Sequence, residues 1–334
     1  MPRVEVLRRR LISFSGVMVA AVVLLVLLPL WLPLAVVADL VRGRLRCPIA
    51  RLLLFALGWA WLESVGIITA GGLWLLGQRK NKERHYRLQY WWANNLMRWL
   101  RTTTGLRVET SGVESFHPGP TVLLCRHASL ADSLVSAWVI LSVAKLRPRY
   151  VLKRELLSDP CLDLVGNRLP NHFLDREAPD SAIELLALTD LSHGMGVDDV
   201  GVIFPEGTRA SPKKRERALK RIAERDPDRL ARVQPLRHLL PPRPAGAAAL
   251  LAGCPEADVV VGWHAGFDGL DTFGGILRRL ARRPAPVQFA ARRIPREQVP
   301  SGEQFTVWLD QVWLQADAAV HDLLHPGHPT ERPT

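Results

Sequence analysis

From residue 106 onward, short apolar runs of strand type alternate with stretches of helical period, as in an α/β domain with a largely parallel central sheet flanked by helices. Two long apolar segments precede this region and predict an N-terminal hydrophobic two-helix membrane anchor. Composition agrees, since 48% hydrophobic residues beside 23% charged residues means that the apolar residues are unevenly distributed. A chain of 334 residues has room for one substantial α/β domain and an anchor. The predicted organisation is an anchor over 1–78, a basic aromatic interfacial helix over 79–104, the α/β domain over 105–324 and a disordered tail over 325–334.

The first ten residues, MPRVEVLRRR, are basic, and residues 11–37 then run without a charge. That is longer than the roughly 20 residues needed to span a bilayer, and Pro29 and Pro33 should bend or end the helix. The run also far exceeds the roughly 7 to 15 apolar residues of a cleaved secretory signal, so the anchor should stay attached. The second segment, 52–77, carries Glu63 near its middle. A carboxylate at mid-membrane costs about 2.5 to 3.5 kcal/mol. Basic residues lie before, between (Arg42, Arg44, Arg46, Arg51) and after the segments, so the positive-inside rule does not select a simple two-span hairpin. Helices that dip into one leaflet would keep all three clusters on the cytoplasmic side; the pattern is compatible with spanning or dipping. Arg- and Ala-rich composition suggests a bacterial cytoplasmic membrane.

Residues 78–104 combine Arg79, Lys80, Lys82, Arg84 and Arg87 with Tyr90, Trp91, Trp92 and Trp99, suited to anionic lipid headgroups. The net charge of +12 and a pI near 10.3 raise nucleic acid as a rival partner. No helix-turn-helix, zinc-finger or RNP pattern occurs, and the basic stretch abuts the apolar segments, so the membrane surface is the better partner. Strands are expected at 106–109, 121–125, 149–152, 172–174, 200–204, 258–263 and 287–290. Helices are expected at 130–143, 181–191, 212–225, 245–252, 273–282 and 302–324, with 226–244 as an Arg- and Pro-rich surface connection. Cys47, Cys125, Cys161 and Cys254 are scattered, which predicts neither a metal site nor a disulfide framework and suits a reducing compartment. Cys125 lies in an apolar run and reads as core.

The chemistry gathers at residues 121–132, TVLLCRHASLAD. A strand-type run ends in Arg126 and His127, and Ser129 opens a helical pattern with Asp132 in its first turn. A neutral His takes a proton from an alcohol, and a neighbouring Asp holds its tautomer and balances the imidazolium. Five positions along one continuous helix would separate the two side chains. They meet only if His127 lies in the turn before the helix, where the helix's positive end also favours neutral imidazole. The same Ser129-x-x-Asp132 spacing is a capping box, so Asp132 has a purely structural reading as well. A second His-x4-Asp pair, His193 and Asp198, has no strand before it and reads as a chance spacing. Residues 200–209, VGVIFPEGTR, form another strand-to-turn unit in which Gly207 permits a tight backbone and Arg209 offers a planar fork to a phosphate. Loops at the carboxyl ends of strands are where open α/β sheets bind ligands.

In this order, His127-x4-Asp132 and Phe204-Pro205-Glu206-Gly207-Thr208-Arg209 resemble the 1-acylglycerol-3-phosphate acyltransferase family, PlsC-like lysophospholipid acyltransferases. Residues 173–176 (FLDR) match the family's middle block, and residues 238–246 (HLLPPRPAG) its Pro-centred fourth block. That fourth block and the Trp-containing helix at 305–324 are similar to the longer, membrane-anchored branch that includes lysocardiolipin-type enzymes. The resemblance covers roughly residues 121–324 and makes 105–324 a glycerolipid acyltransferase domain. It implies transfer of a fatty acyl group from acyl-CoA or acyl carrier protein to a lysophospholipid hydroxyl. The first expected acceptor is 1-acyl-sn-glycerol-3-phosphate, giving phosphatidic acid, with lysocardiolipin- or lysophosphatidylinositol-type acceptors as alternatives.

On this resemblance His127 is the base and Asp132 its partner, and Arg176 and Arg209 contact phosphate within a site that includes Gly207 and Thr208. Glu206 is expected to orient Arg209 or the acceptor. Lys153, following a strand, is added from the residue pattern alone, and the basic helix 213–220 is a candidate for CoA phosphates or an acidic carrier protein. Backbone N–H groups near the start of the helix after His127 are candidates for the thioester oxyanion. No cofactor or metal is required. A hydrolase would need a nucleophile, and no G-x-S-x-G elbow exists. A non-catalytic lipid-binding membrane module would have no need of His127, Asp132, Glu206 and Arg209 together.

Overall fold

The structure is a computed structural model that describes residues 3–129, 131–175, 181–267, 273–282 and 285–325. In chain order its elements are α1 (Arg3–Val26), α2 (Leu28–Val41), α3 (Pro48–Leu75), α4 (Lys82–Thr104), β1 (Val108–Ser111), β2 (Thr121–Cys125), α5 (Asp132–Trp138), β3 (Arg147–Lys153) and β4 (His172–Leu174). These are followed by α6 (Ser181–Ser192), β5 (Asp199–Ile203), α7 (Pro212–Ala223), α8 (Pro227–Val233), α9 (Pro244–Gly253), β6 (Asp258–Ala265), α10 (Phe273–Ala281), β7 (Val287–Ile294) and α11 (Glu303–Leu324). Contacts divide the chain into two units: Met1–Arg107 with Leu152–Arg176 and Thr272–Ala285, and Val108–Val151 with Glu177–Asp271 and Pro286–Thr334.

In the first unit the charge-free run forms two helices, and the break falls at Leu27. Pro29 has no N–H to continue the ladder, whereas in the first turn of α2 none is needed. Asp39 is buried and its carboxyl accepts from the N–H groups of Ile49 (2.8 Å) and Ala50 (3.2 Å), capping α3. Val17 and Ala21 of α1 pack on Ala60 and Ile67 of α3. Val4–Val26 and Pro48–Leu75 are each long and apolar enough to cross a membrane. Leu11, Ile12, Val26 and Ile68 leave apolar surface exposed. Glu63 is turned inward: Trp92 Nε1 donates to its Oε1 at 2.8 Å and the Cys161 N–H to its Oε2 at 3.1 Å. The polar group in the middle of the apolar segment therefore has partners inside this unit.

Among the described residues seven strands form one sheet in the order β1-β7-β6-β2-β5-β3-β4. β2 is central, parallel to β5 on one side and to β6 on the other. All five of its residues are buried, as a strand covered on both faces requires. β3 pairs in parallel with β5 and carries the chain from the second unit into the first. β7 runs on to Ile294, beyond the expected stretch, because it pairs antiparallel with β6 from Val259↔Ile294 to Ala265↔Gln288. In the second unit, Val122 and Leu124 of β2, Val259 and Val261 of β6, Leu250 of α9, and Leu309 and Trp313 of α11 share one buried core.

Two local differences from expectation have physical causes. The helix after the His127 turn begins at Asp132 and widens into a π-turn at Val139–Val143. The connection 226–244 contains α8, started by Asp226 accepting the Arg229 N–H at 2.9 Å and by Pro227 in the first turn. Arg229 then ion-pairs with the buried Asp310 on α11 at 2.9 Å, a tertiary contact that local sequence does not reveal.

Candidate active site

Sheet register places the site. Cys125, the last residue of β2, lies opposite Gly262, and Leu124 lies opposite Ile203. The chain leaving β2 at His127 and the chain leaving β5 at Glu206 therefore emerge side by side at the carboxyl edge of the sheet. β6 continues three residues past Gly262, to Ala265, which brings His264 level with the same turn.

His127 is fixed by its backbone on both sides. Its N–H donates to Glu206 Oε1 at 2.7 Å, and its carbonyl accepts from the Ala210 N–H at 2.8 Å. The ring packs on Phe204 with centroids 4.9 Å apart, and Nδ1 lies 3.0 Å from Asp132 Oδ2. Asp132 opens α5, so the pair meets across a turn rather than along a helix.

Asp132 is fully enclosed. Its Oδ2 accepts from the N–H groups of Ala128 (2.5 Å) and Ser129 (2.7 Å), and its Oδ1 from Ser129 Oγ at 2.6 Å. Burial by itself would raise its pKa. The neighbouring His264 and the hydrogen bonds from His127 and Ser129 outweigh that effect and hold Asp132 below the ordinary carboxylate value. An ionised Asp132 can only accept, so His127 Nδ1 carries the proton and Nε2 is left as the basic nitrogen. The His127 side chain is 14% exposed. The capping reading and the His-partner reading thus coexist. The Ser129 N–H bond is half of a capping box, while Ser129 Oγ turns to donate to Asp132 and to accept from Ala131 at 3.1 Å.

Three expectations change. The N–H groups of Ala128, Ser129 and Ala131 are already engaged, so they are not open to a thioester oxyanion. Glu206 does not orient Arg209 or the acceptor: it is buried, and its two oxygens accept from the N–H groups of His127 and Leu240, the latter at 2.9 Å. It clamps two chain segments, and burial pushes its carboxyl up to about 8. Thr208 is engaged by Lys214, whose Nζ donates to Thr208 Oγ1 at 3.0 Å and to the Arg209 carbonyl at 3.2 Å.

Gly207 has φ +69°, and a Cβ there would lie 3.3 Å from Arg243 Cδ, so the turn needs glycine. Arg209 is half-buried at its end. Lys153 is the last residue of β3 and belongs to the first unit. Arg176 lies outside the described residues. His193 is exposed in the turn after α6, as its lack of a preceding strand suggested. Cys125 is fully buried, and burial pushes its thiol well up, so it is core. Among the described residues no group of three or more His, Cys, Asp or Glu side chains is placed to hold a metal ion.

His264 and Arg126 are part of this site without having been predicted. His264 is buried, with Nε2 3.3 Å from Asp132 Oδ1 and 3.3 Å from the Arg126 carbonyl. Both of those atoms are acceptors, so Nε2 carries a proton. Arg126 is also buried, donates its N–H to the Gly262 carbonyl at 3.0 Å and directs Nη1 to the His264 carbonyl. Arg126 had one signal in the sequence, a cation directly ending an apolar strand. His264 had none.

Residues 107–254 match the family model described as Acyltransferase. The crystal structure of the 1-acyl-sn-glycerophosphate (LPA) acyltransferase PlsC from Thermotoga maritima is similar in fold, with TM-score 0.54 and 18% identity over 85% of this chain and 99% of that one. No curated protein matches the chain. The matched stretch contains both the His127–Asp132 turn and the Glu206–Arg209 turn, so this region of the chain is similar to the Acyltransferase family and its fold is that of PlsC.

Proposed function

We propose that this O-acyltransferase moves a fatty acyl group from an acyl thioester, acyl-CoA or acyl carrier protein, to the free hydroxyl of a lysophospholipid. The first acceptor is 1-acyl-sn-glycerol-3-phosphate, the substrate class for which the Thermotoga maritima protein is named, and the product is phosphatidic acid. The observation that carries the reading is the His127 Nδ1–Asp132 contact at 3.0 Å, which leaves Nε2 as the nitrogen without a proton on a side chain that is 14% exposed. His127 Nε2 takes the hydroxyl proton as the oxygen attacks the thioester carbonyl. The tetrahedral intermediate collapses, the C–S bond breaks, and the imidazolium returns the proton to the departing thiolate. A base of this kind contributes about 10²- to 10⁴-fold in rate. Positioning supplies more, with Arg209 on the acceptor phosphate through charge-assisted hydrogen bonds of about 1.5 to 3 kcal/mol each. The chemistry takes place at a membrane surface to which the two long apolar helices attach the chain, with the catalytic domain on the cytoplasmic face.

The test compares detergent-purified wild type with His127→Ala, given acyl-CoA and a panel of lysophospholipids, and follows CoA release and lipid products. Acceptor-dependent CoA release that yields diacyl lipid and disappears in the variant supports the proposal. Release without acceptor makes the protein a thioesterase, and full activity in folded His127→Ala removes the base assignment.

A further inference from the structure

The turn that carries His127 has a second side, which closes one wall of a cavity of about 320 Å³. Arg126, Ala128, Ser211, Arg215, Arg237 and His238 are among its lining residues, and none of the lining residues is acidic. Small-ligand sites begin near this volume, roughly 300 Å³. Cations from three separate chain segments converge here: the end of β2, the start of α7, and the segment before the proline turn at Pro241 and Pro242.

The walls are held from behind. Asp317 on α11 accepts from the N–H groups of Arg237 (2.9 Å), His238 (2.7 Å) and Leu239 (2.7 Å), and Glu206 accepts from Leu240. Both carboxyls are spent on backbone, so they shape the cavity without lining it. Arg215 Nη1 donates to the carbonyls of Leu236 (3.0 Å) and Arg237, which fixes the guanidinium plane. Its Nε and Nη2 hold no bond among the described residues. Like charges gathered in a partly enclosed space repel, and an anion relieves that repulsion. A planar guanidinium fork suits phosphate oxygens in particular.

We propose that this cavity binds a phosphate group of a substrate, with Arg215 and Arg237 as the charged donors. The proposal rests on the acyl-transfer reading and adds residues that the two sequence blocks do not contain. Two sources of phosphate exist, the acceptor headgroup and CoA. Position favours the acceptor, with Arg209, next to Ala210 of the cavity wall, as a further donor to the same phosphate. Ala128, on the cavity wall, is bonded to His127, and two carbons separate the acceptor's hydroxyl oxygen from its phosphoester oxygen, a span of roughly 3 to 4 Å. The phosphates of CoA lie a whole pantetheine arm away from the thioester.

The experiment uses the full-length protein and Arg237→Gln, with Arg237→Lys as the charge-retaining control. Arg215 is left intact because its Nη1 holds backbone carbonyls. One arm measures KM for lysophosphatidate, for acyl-CoA and for acyl-pantetheine, which carries no phosphate. The other follows the rise in Tm that inorganic phosphate produces without any turnover. Loss of one charged hydrogen bond predicts a KM for lysophosphatidate raised about tenfold or more in Arg237→Gln, partly restored in Arg237→Lys, and a smaller rise in Tm with phosphate. A raised KM for acyl-CoA, with acyl-pantetheine unmoved, supports the phosphate site and assigns it to the donor. Unchanged KM values together with an undiminished response to phosphate overturn the proposal. If wild type shows no acceptor-dependent transfer, the proposed function fails separately, and the phosphate arm still reads the cavity.

Discussion

Asp132→Asn separates the two roles of the carboxyl group that opens α5. An Asn whose carbonyl takes the place of Oδ2 keeps the bonds from Ala128, Ser129 and His127 Nδ1. Its amide then replaces Oδ1, where Ser129 Oγ can turn from donor to acceptor. The N–H of His264 Nε2, now 3.3 Å from an amide nitrogen, loses its anionic acceptor. A lost hydrogen bond to a charged group costs about 1.5 to 3 kcal/mol, and the long contact places this one near the lower figure. The turn should therefore survive with a modestly lower Tm.

The rate should fall much further. With Nδ1 at 3.0 Å, the delocalised imidazolium charge lies close to the carboxylate. Two unit charges about 4 Å apart, in surroundings of effective dielectric about 20, attract by about 4 kcal/mol. Losing that attraction as the transition state forms corresponds to about a thousandfold in kcat, less whatever reorganisation recovers. The assay is acceptor-dependent thiol release from acyl-CoA in detergent micelles, normalised to the folded fraction from a thermal melt. A kcat within threefold of wild type, with the expected loss in Tm, would show that Asp132 only starts the helix and would refute the charge argument.

Other perturbations have clear directions. His264→Phe should lower kcat about five- to tenfold through loss of the Nε2 contact to Asp132, while His264→Gln, which keeps an N–H donor, should recover part of it; steady-state kinetics on both variants is the check. Glu206 has a folded-state pKa near 8 against an ordinary 4.5, so it holds a proton that the unfolded chain releases. Its contribution to stability is full below about pH 4.5 and drains away as the pH rises through about 8. Wild type should thus lose Tm relative to Glu206→Gln between about pH 5 and about pH 8, and a parallel course would contradict that sign. Trp313→Ala empties a fully buried place in the core beneath the site and should cost about 3 to 5 kcal/mol, measured by chemical denaturation of the detergent-solubilised protein.

What the sequence revealed followed from how local each interaction is. β2 matches its expected span because five buried residues ended by Arg126 and His127 are a local signal. The His127–Asp132 meeting was legible because it spans one turn. The antiparallel direction of β7 and the existence of α8 were not, because partners far along the chain decide them, β6 for one and Asp310 for the other. The same holds for single side chains. His264 matters only because β6 runs on past Gly262 to Ala265, an outcome of strand register. Glu206 stood in a recognised turn, but its inward direction depends on Leu240, 34 residues away. Asp317, inside a Trp-rich helix, showed no sign that its carboxyl would order the segment 237–239.

The clamp formed by Glu206 also has a kinetic consequence. One side chain ties the amide of His127 to that of Leu240 across segments 79 and 34 residues distant. Neither segment can lift away alone without stranding an oxygen of a buried carboxyl, so the turn and the cavity wall should open as a single cooperative unit. Amide hydrogen exchange at His127 and Leu240 should then proceed at a common rate, slow for irregular backbone, and Glu206→Ala should release both protons together. Substrates would meet a cleft already assembled, with the ordering of these groups completed during folding rather than repeated in every catalytic cycle.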